Sequence, residues 1–186
     1  MEQFDLRSSR LWLSPPTADD IGAIVRYCQD PLFEQFLTTP WPYTHRDAVF
    51  FVDEVVAGRW TTGEEFTWGI RAPDGALLGM IGWRTRGDVG YWLGEEHRGR
   101  GYMVEALTTV CDWVFADAGT GDGAEIVEWE TSLGNLASAR VARAAGFRYT
   151  GVAPHIVPER DGSHPDGWHA VLRREDDREV KYGWPL

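Results

Sequence analysis

Apolar positions along this chain recur at helical spacing in some stretches and gather in short runs in others, and the switches between them mark its elements. Val49, Val52, Val55 and Val56 recur at helical spacing behind Thr44-His45-Arg46-Asp47, and Gly58 is read as the stop of that helix. Met103, Ala106, Leu107, Val110 and Val114 share one face of a helix expected from Tyr102 to Phe115. Thr17 to Cys28 reads as a helix opened by Thr17-Ala18-Asp19-Asp20, with Asp where a capping box usually carries Glu or Gln. Asp30-Pro31 ends it, because the residue before a proline is pushed out of helical geometry. A short helix from Leu136 to Ala145 stops at Gly146, the residue type favoured just past a helix C-terminus.

Between these stretches lie short runs that read as strands: Arg10 to Leu13, Phe66 to Ile70, Leu77 to Trp83, Val89 to Leu93, Ile126 to Thr131, Phe147 to Val152 and His169 to Leu172. The turn signal Ala72-Pro73-Asp74-Gly75 joins two of them into a hairpin. Pro40-Trp41-Pro42, the ends and Pro154 to Asp166 read as irregular or loop. The order predicts one α/β (α+β) domain over residues 1–186 with a mixed sheet and about four helices.

Composition narrows the class. Hydrophobic residues make up 43% of the 186 positions, enough for a core, and no apolar run approaches the length that spans a bilayer. The opening Met1-Glu2-Gln3-Phe4-Asp5 lacks the basic-then-apolar order of a signal peptide, so a soluble cytoplasmic protein without membrane contact is expected. A net charge of −11 argues against a nucleic-acid surface and suits a cationic acceptor, although solubility alone explains it equally well. Cys28 and Cys111 sit in apolar helical patterns and read as buried free thiols; no clustered His and Cys suggest a metal.

The stretch richest in chemistry runs from Tyr91 to Met103. A strand ends, Arg98-Gly99-Arg100-Gly101 follows, and a helix begins at Tyr102. Free N–H groups at a helix start favour an anion, glycines let backbone approach a phosphate, and arginines neutralise one. The pattern is neither a Walker loop nor a dinucleotide fingerprint, and a glycine-rich turn with solvated arginines is the plain alternative.

Arg98-Gly99-Arg100-Gly101-Tyr102 resembles the acyl-CoA pyrophosphate loop of the GNAT N-acetyltransferase superfamily, Arg/Gln-x-x-Gly-x-Gly/Ala, with Met103 where Gly or Ala is usual. Asn135-Leu136-Ala137-Ser138, leading to Gly146-Phe147, is similar to the Asn-x-x-Ser helix of the branch that acetylates ribosomal-protein N-termini. Weaker likeness extends from Arg10 to Leu172. The resemblance implies a sheet splayed in the middle, acetyl-CoA as acyl donor, no metal, and a primary amine as acceptor; a homodimer is compatible with it. Carried over residue by residue, Trp92 and Leu93 would pair their backbone with pantetheine, Arg98, Gly99, Arg100, Gly101, Tyr102 and Met103 would hold the pyrophosphate, and Asn135 would bond the pantetheine. Arg140 or Arg143 could lie near the nucleotide end, with a solvated helix face as the alternative.

For catalysis, Glu128 and Glu130 fall on one face of a strand, and Glu130 is preferred as base because it is nearer the Asn135 helix. Ser138 is the chosen acid, with Tyr91 and Tyr149 as alternatives, and His169 could also titrate near neutrality. Trp41, Tyr43, Trp60, Phe66, Trp68 and Trp83 are expected either to line an acceptor pocket or to pack the core and a dimer contact. Rival readings are a polyamine or aminoglycoside acetyltransferase, an acyl-CoA sensor without turnover, and an unrelated anion-binding domain.

Overall fold

A computed structural model describes residues 2–186. Its strands are β1 (Leu6–Arg7), β2 (Trp12–Ser14), β3 (Glu65–Arg71), β4 (Leu77–Arg84), β5 (Asp88–Leu93), β6 (Ile126–Ser132), β7 (Arg148–Pro154) and β8 (Asp166–Arg173). They form one sheet in the order β1-β2-β3-β4-β5-β6-β8-β7. All neighbours run antiparallel except β5 and β6, which are parallel and share a single register pair, Asp88 with Glu128. Beyond that rung the two strands diverge, so Tyr91, Trp92 and Leu93 have no strand partner on the β6 side. The mixed, mostly antiparallel and centrally splayed sheet is the one the sequence leads one to expect.

The helices are α1 (Ile21–Tyr27), α2 (Pro31–Phe36), α3 (His45–Phe50), α4 (Ala57–Thr62), α5 (Tyr102–Phe115) and α6 (Leu136–Ala144). A π-helical stretch, Phe51–Val56, joins α3 to α4 without a break. Three local expectations are corrected. Asp30-Pro31 does not merely end a helix: Asp30 caps α2 by accepting from the Leu32 N–H at 2.9 Å, and Pro31 takes the first helical position, where its missing N–H costs nothing. Gly58 is not a stop, since the helix runs to Thr62 and ends at Gly63. A further short strand, β1, pairs with β2.

Burial sorts the faces. Ile81, Trp83, Val89, Val127, Trp129 and Leu172 pack with α5 and α6 in the larger cluster. Met80, with Tyr27, Phe33, Ala48 and Val52, forms a second cluster with α1, α2 and α3. The aromatics Trp60, Phe66, Trp68 and Trp83 are fully buried; the first three pack edge-on or tilted against Phe4, and Phe66 and Trp68 also against Trp113. They pack the core and do not line a pocket. Cys28 and Cys111 are free buried thiols, and burial pushes each up to about 12. No helix among the described residues is long and apolar enough to cross a membrane.

Candidate functional site

The turn from β5 to α5 stands at the mouth of the divergence. Gly99 and Gly101 have φ of 73° and 77°, left-handed values that suit glycine, and Gly101 is the N-cap of α5. The first bond inside α5 is Glu105 N–H to Gly101 C=O, which leaves the amides of Tyr102, Met103 and Val104 without intrahelical acceptors. A side chain built at Gly99 would meet nothing within 4 Å, so the turn is open to a ligand's close approach. The Met103 side chain is buried in the core, which leaves only its backbone for binding. These features fit a diphosphate, as the sequence suggests.

The turn is braced from below. Arg98 donates to Leu93 C=O from Nε and Nη2, at 3.1 and 3.0 Å, and pairs with Asp30 at 2.6 Å. Its guanidinium is therefore turned toward the strand end and α2, while Arg100 is exposed. The Tyr27 hydroxyl donates to Leu77 C=O at 2.8 Å and lies 2.8 Å from His97 Nε2. Its ring lies so close to Gly94 that a Cβ there would come within 2.5 Å, a clash only glycine avoids. Burial, followed by the neighbouring arginines, holds the His97 imidazole below its usual range even though Glu96 pulls the other way.

Arg10 is a basic residue beside the turn that its sequence context did not mark for a binding role. Its guanidinium lies 5.1 Å over the Tyr102 ring, donates to Arg100 C=O at 3.3 Å and pairs with Glu105 at 2.6 Å. Only the fold brings Arg10, two residues ahead of β2, against α5.

On the α6 side of the cleft, Asn135 caps the helix: its Oδ1 accepts from Ser138 N–H at 3.1 Å and its Nδ2 donates to Thr131 Oγ1 at 2.9 Å. Ser138 Oγ accepts from Trp129 Nε1 at 3.2 Å and donates to the Tyr91 hydroxyl at 3.3 Å, which donates back to Ser138 C=O at 3.0 Å. Tyr91 of β5 and Ser138 of α6 thus meet across the divergence. Burial pushes the Tyr91 phenol up. Arg143, at the far end of α6, has a buried Nε with no acceptor among the described residues.

Glu130 lies on the opposite face of β6, since Val127, Trp129 and Thr131 are the buried positions. Its carboxylate accepts from Ile156 N–H at 2.7 Å and Val157 N–H at 2.8 Å, which pins the loop between β7 and β8. His169 Nδ1 is 3.9 Å away, and its Nε2 lies 3.0 Å from Ala153 C=O. Asp88, Glu128, Glu130, Ile156 and His169 line a cavity of about 90 Å³. Glu128 is exposed beside it. The tip of the same loop reaches α2: Arg160 donates to the carbonyls of Phe33, Glu34, Leu37 and Thr39 at 2.6–2.8 Å. Of the residues singled out in the sequence, the structure therefore gathers Trp92 to Met103 at one side of the cleft, Asn135 and Ser138 at the other, and Glu130 behind β6.

Residues 10–148 match the sequence profile described as the acetyltransferase (GNAT) domain. A curated relative, the probable N-acetyltransferase YjcK of Bacillus subtilis, is 33% identical over 123 residues, which cover 62% of this chain and 66% of that protein, just short of two thirds of its length. Among solved structures, a putative ribosomal-protein-serine acetyltransferase from Vibrio cholerae superposes with a TM-score of 0.78 at 22% identity, covering 91% of this chain and 97% of that one. The RimL ribosomal L7/L12 alpha-N-protein acetyltransferase, solved in complex with coenzyme A, gives 0.74 at 18% identity, covering 91% and 98%. The microcin C7 self-immunity acetyltransferase MccE, solved with acetyl-CoA and AMP, gives 0.73 at 16% identity, covering 89% and 93%. At such identities the superpositions speak to the fold.

Proposed function

The chain belongs to the GNAT acetyltransferase family, and from that premise we propose that it transfers the acetyl group of acetyl-CoA to a primary amine, a protein N-terminus being the leading acceptor class. The observation that carries this reading is the pairing of an open Gly99-Arg100-Gly101 turn, capping α5, with the divergence of β5 and β6 directly behind it. Acetyl-CoA supplies an activated acyl group on a sulfur leaving group. The α5 amides and the Arg100 guanidinium face its diphosphate charge, with Arg10 beside them. Unpaired backbone on the β6 side of Tyr91 to Leu93 offers an edge for the pantetheine amides, as a free strand edge does for a peptide.

The acceptor must reach the thioester as a neutral amine. Glu130 is assigned its proton, which passes on to solvent. The amine lone pair then forms the C–N bond as the C–S bond breaks, and the proton still carried by the nitrogen leaves to solvent as the amide forms. Ser138 gives its hydroxyl proton to the departing sulfur and regains one from solvent. Arg98 and Asn135 act by shape: one holds the strand end, the other the start of α6.

A second reading has one observation in its favour. Both Glu130 oxygens already accept backbone N–H bonds, which suits a structural carboxylate and an acyl-CoA-binding protein without turnover. Thiol release from acetyl-CoA, measured over a panel of N-terminal peptides and small amines, separates the two. Amine-dependent release supports the transferase; saturable acetyl-CoA binding with no release from any amine supports the sensor.

A further inference from the structure

The segment that follows β8 returns across the sheet and comes to rest against Trp129, the residue that bonds the candidate proton donor. Its path is fixed at Arg178, whose backbone packs so tightly on Gly146 that a Cβ there would lie 2.6 Å from the Arg178 Cα. The Arg178 guanidinium pairs with Asp112 of α5 at 3.1 Å. Trp184 then sits with its ring centroid 5.5 Å from that of Trp129 and 5.5 Å from that of Tyr149. Trp129 and Tyr149 occupy register positions on either side of Ala170, so Trp184 spans the three strands β6, β8 and β7.

Trp129 is the indole that donates to Ser138 Oγ at 3.2 Å. That bond matters to a serine acting as acid. A hydroxyl is a poor donor to a thiolate, whose conjugate thiol has an ordinary pKa of about 8.5. An N–H pointed at the oxygen stabilises the negative charge left behind and so favours proton release. The donor must hold its direction, because a hydrogen bond weakens steeply as its angle closes. Trp184 packs on the indole of Trp129 with the two planes at 60°, which restrains the side chain that carries the N–H.

We infer that Trp184 is a positioning residue for the acetyl transfer: it holds the Trp129 indole so that its N–H stays on Ser138 Oγ. The inference rests on the reading of Ser138 as the acid. Trp184 lies beyond residues 10–148, so the support comes from outside the matched stretch.

The test uses the full chain with acetyl-CoA and an amine it turns over. Trp184→Ala lowers kcat by roughly tenfold, with the KM for acetyl-CoA within about twofold of wild type, and Trp184→Phe restores most of the loss. Combined with Ser138→Ala, Trp184→Ala has no further effect on kcat, because both changes remove the same contribution. An unchanged kcat in the folded Trp184→Ala chain, or losses that multiply in the double variant, overturns the proposal. Where Trp184→Ala does not fold, Trp129→Phe removes the N–H and keeps the stacking; a wild-type kcat there overturns it equally. An activity-free readout stands beside these. Hydrogen exchange of the Trp129 indole N–H, followed by NMR, speeds up in Trp184→Ala if the contact holds it and stays as in wild type if it does not. A wild-type chain that releases no thiol from any amine counts against the transferase reading, and the indole exchange then decides the Trp184 contact by itself.

Discussion

Arg98 turns back on its own strand: two of its nitrogens fork onto the carbonyl of Leu93, five residues earlier, while Asp30 takes the guanidinium from the α2 side. A single side chain thereby ends β5, shapes the turn and ties both to α2. Lysine keeps the charge but cannot form the fork. Arg98→Lys is expected to raise the KM for acetyl-CoA by roughly threefold to tenfold and to lower stability by about 1 kcal/mol, the size of a partly exposed charge-assisted bond. Steady-state kinetics and thermal melts check this; values equal to wild type would mean that the charge alone suffices.

Gly101 has a left-handed backbone at the head of α5. Gly101→Ala carries a backbone cost of about 1–2 kcal/mol there. Gly101→Asp adds a negative charge where a diphosphate is proposed to sit. Acetyl-CoA is expected to raise the melting temperature of the wild-type chain, since a ligand bound only by the folded state stabilises it. The shift should shrink in Gly101→Ala and vanish in Gly101→Asp. Calorimetric Kd values equal to wild type in both would remove the turn from the binding site.

Asp20 and Arg71 form a bidentate pair at 2.7 Å with both side chains about nine-tenths buried. Burial pushes the Asp20 carboxyl up, but Arg71 and the Thr17 N–H more than reverse that and hold it below its usual value of 3.8. A carboxyl lowered in the folded state adds stability above its unfolded pKa, and that stability is lost as pH falls through the folded one. Asp20→Asn is therefore expected to cost about 3 kcal/mol near neutrality, because Arg71 is left buried without its counter-charge. The gap to wild type should narrow as pH falls below 3.8. Urea titrations over a pH series measure it, and a gap that does not change with pH contradicts the assignment.

Arg160 fastens the loop between β7 and β8 to the end of α2 through four carbonyls. That loop also hangs on Glu130, so it roofs the side of β6 proposed to receive the amine. Arg160→Ala should raise the KM for the amine by roughly fivefold or more while leaving that for acetyl-CoA near wild type. Equal changes in both would point to general loosening instead.

Local signals in the chain were informative where one stretch determines its own shape. The α5 helix, the glycine turn ahead of it and the short apolar runs that form the strands are all readable locally, because helical periodicity, glycine geometry and turn signals act within a few residues. Asp30-Pro31 shows the limit: the same dipeptide that closes one helix opens the next, and only the packing of Phe33 beneath α2 decides. The tryptophans were ambiguous for a similar reason. An aromatic fits a pocket and a core equally well until its neighbours are known, and Trp60, Trp68 and Trp83 found theirs inside. The partners of Arg160 lie 121 to 127 residues away in the chain, and those of Trp184 lie on strands far upstream; no periodicity encodes such meetings.

The lone rung between Asp88 and Glu128 gives the sheet an unfinished seam. Strands β1 to β5 form one hydrogen-bonded patch, β6 to β8 another, and main-chain bonding hardly crosses from one to the other. A pantetheine lying there would act as the missing strand, so that the donor substrate is at once reactant and mortar. Amide exchange at Tyr91 and Leu93 should then be fast in the empty protein and slow once coenzyme A is added, and unfolding should become more cooperative in step. The fold leaves its hydrogen bonding incomplete at the place where its chemistry is proposed to happen.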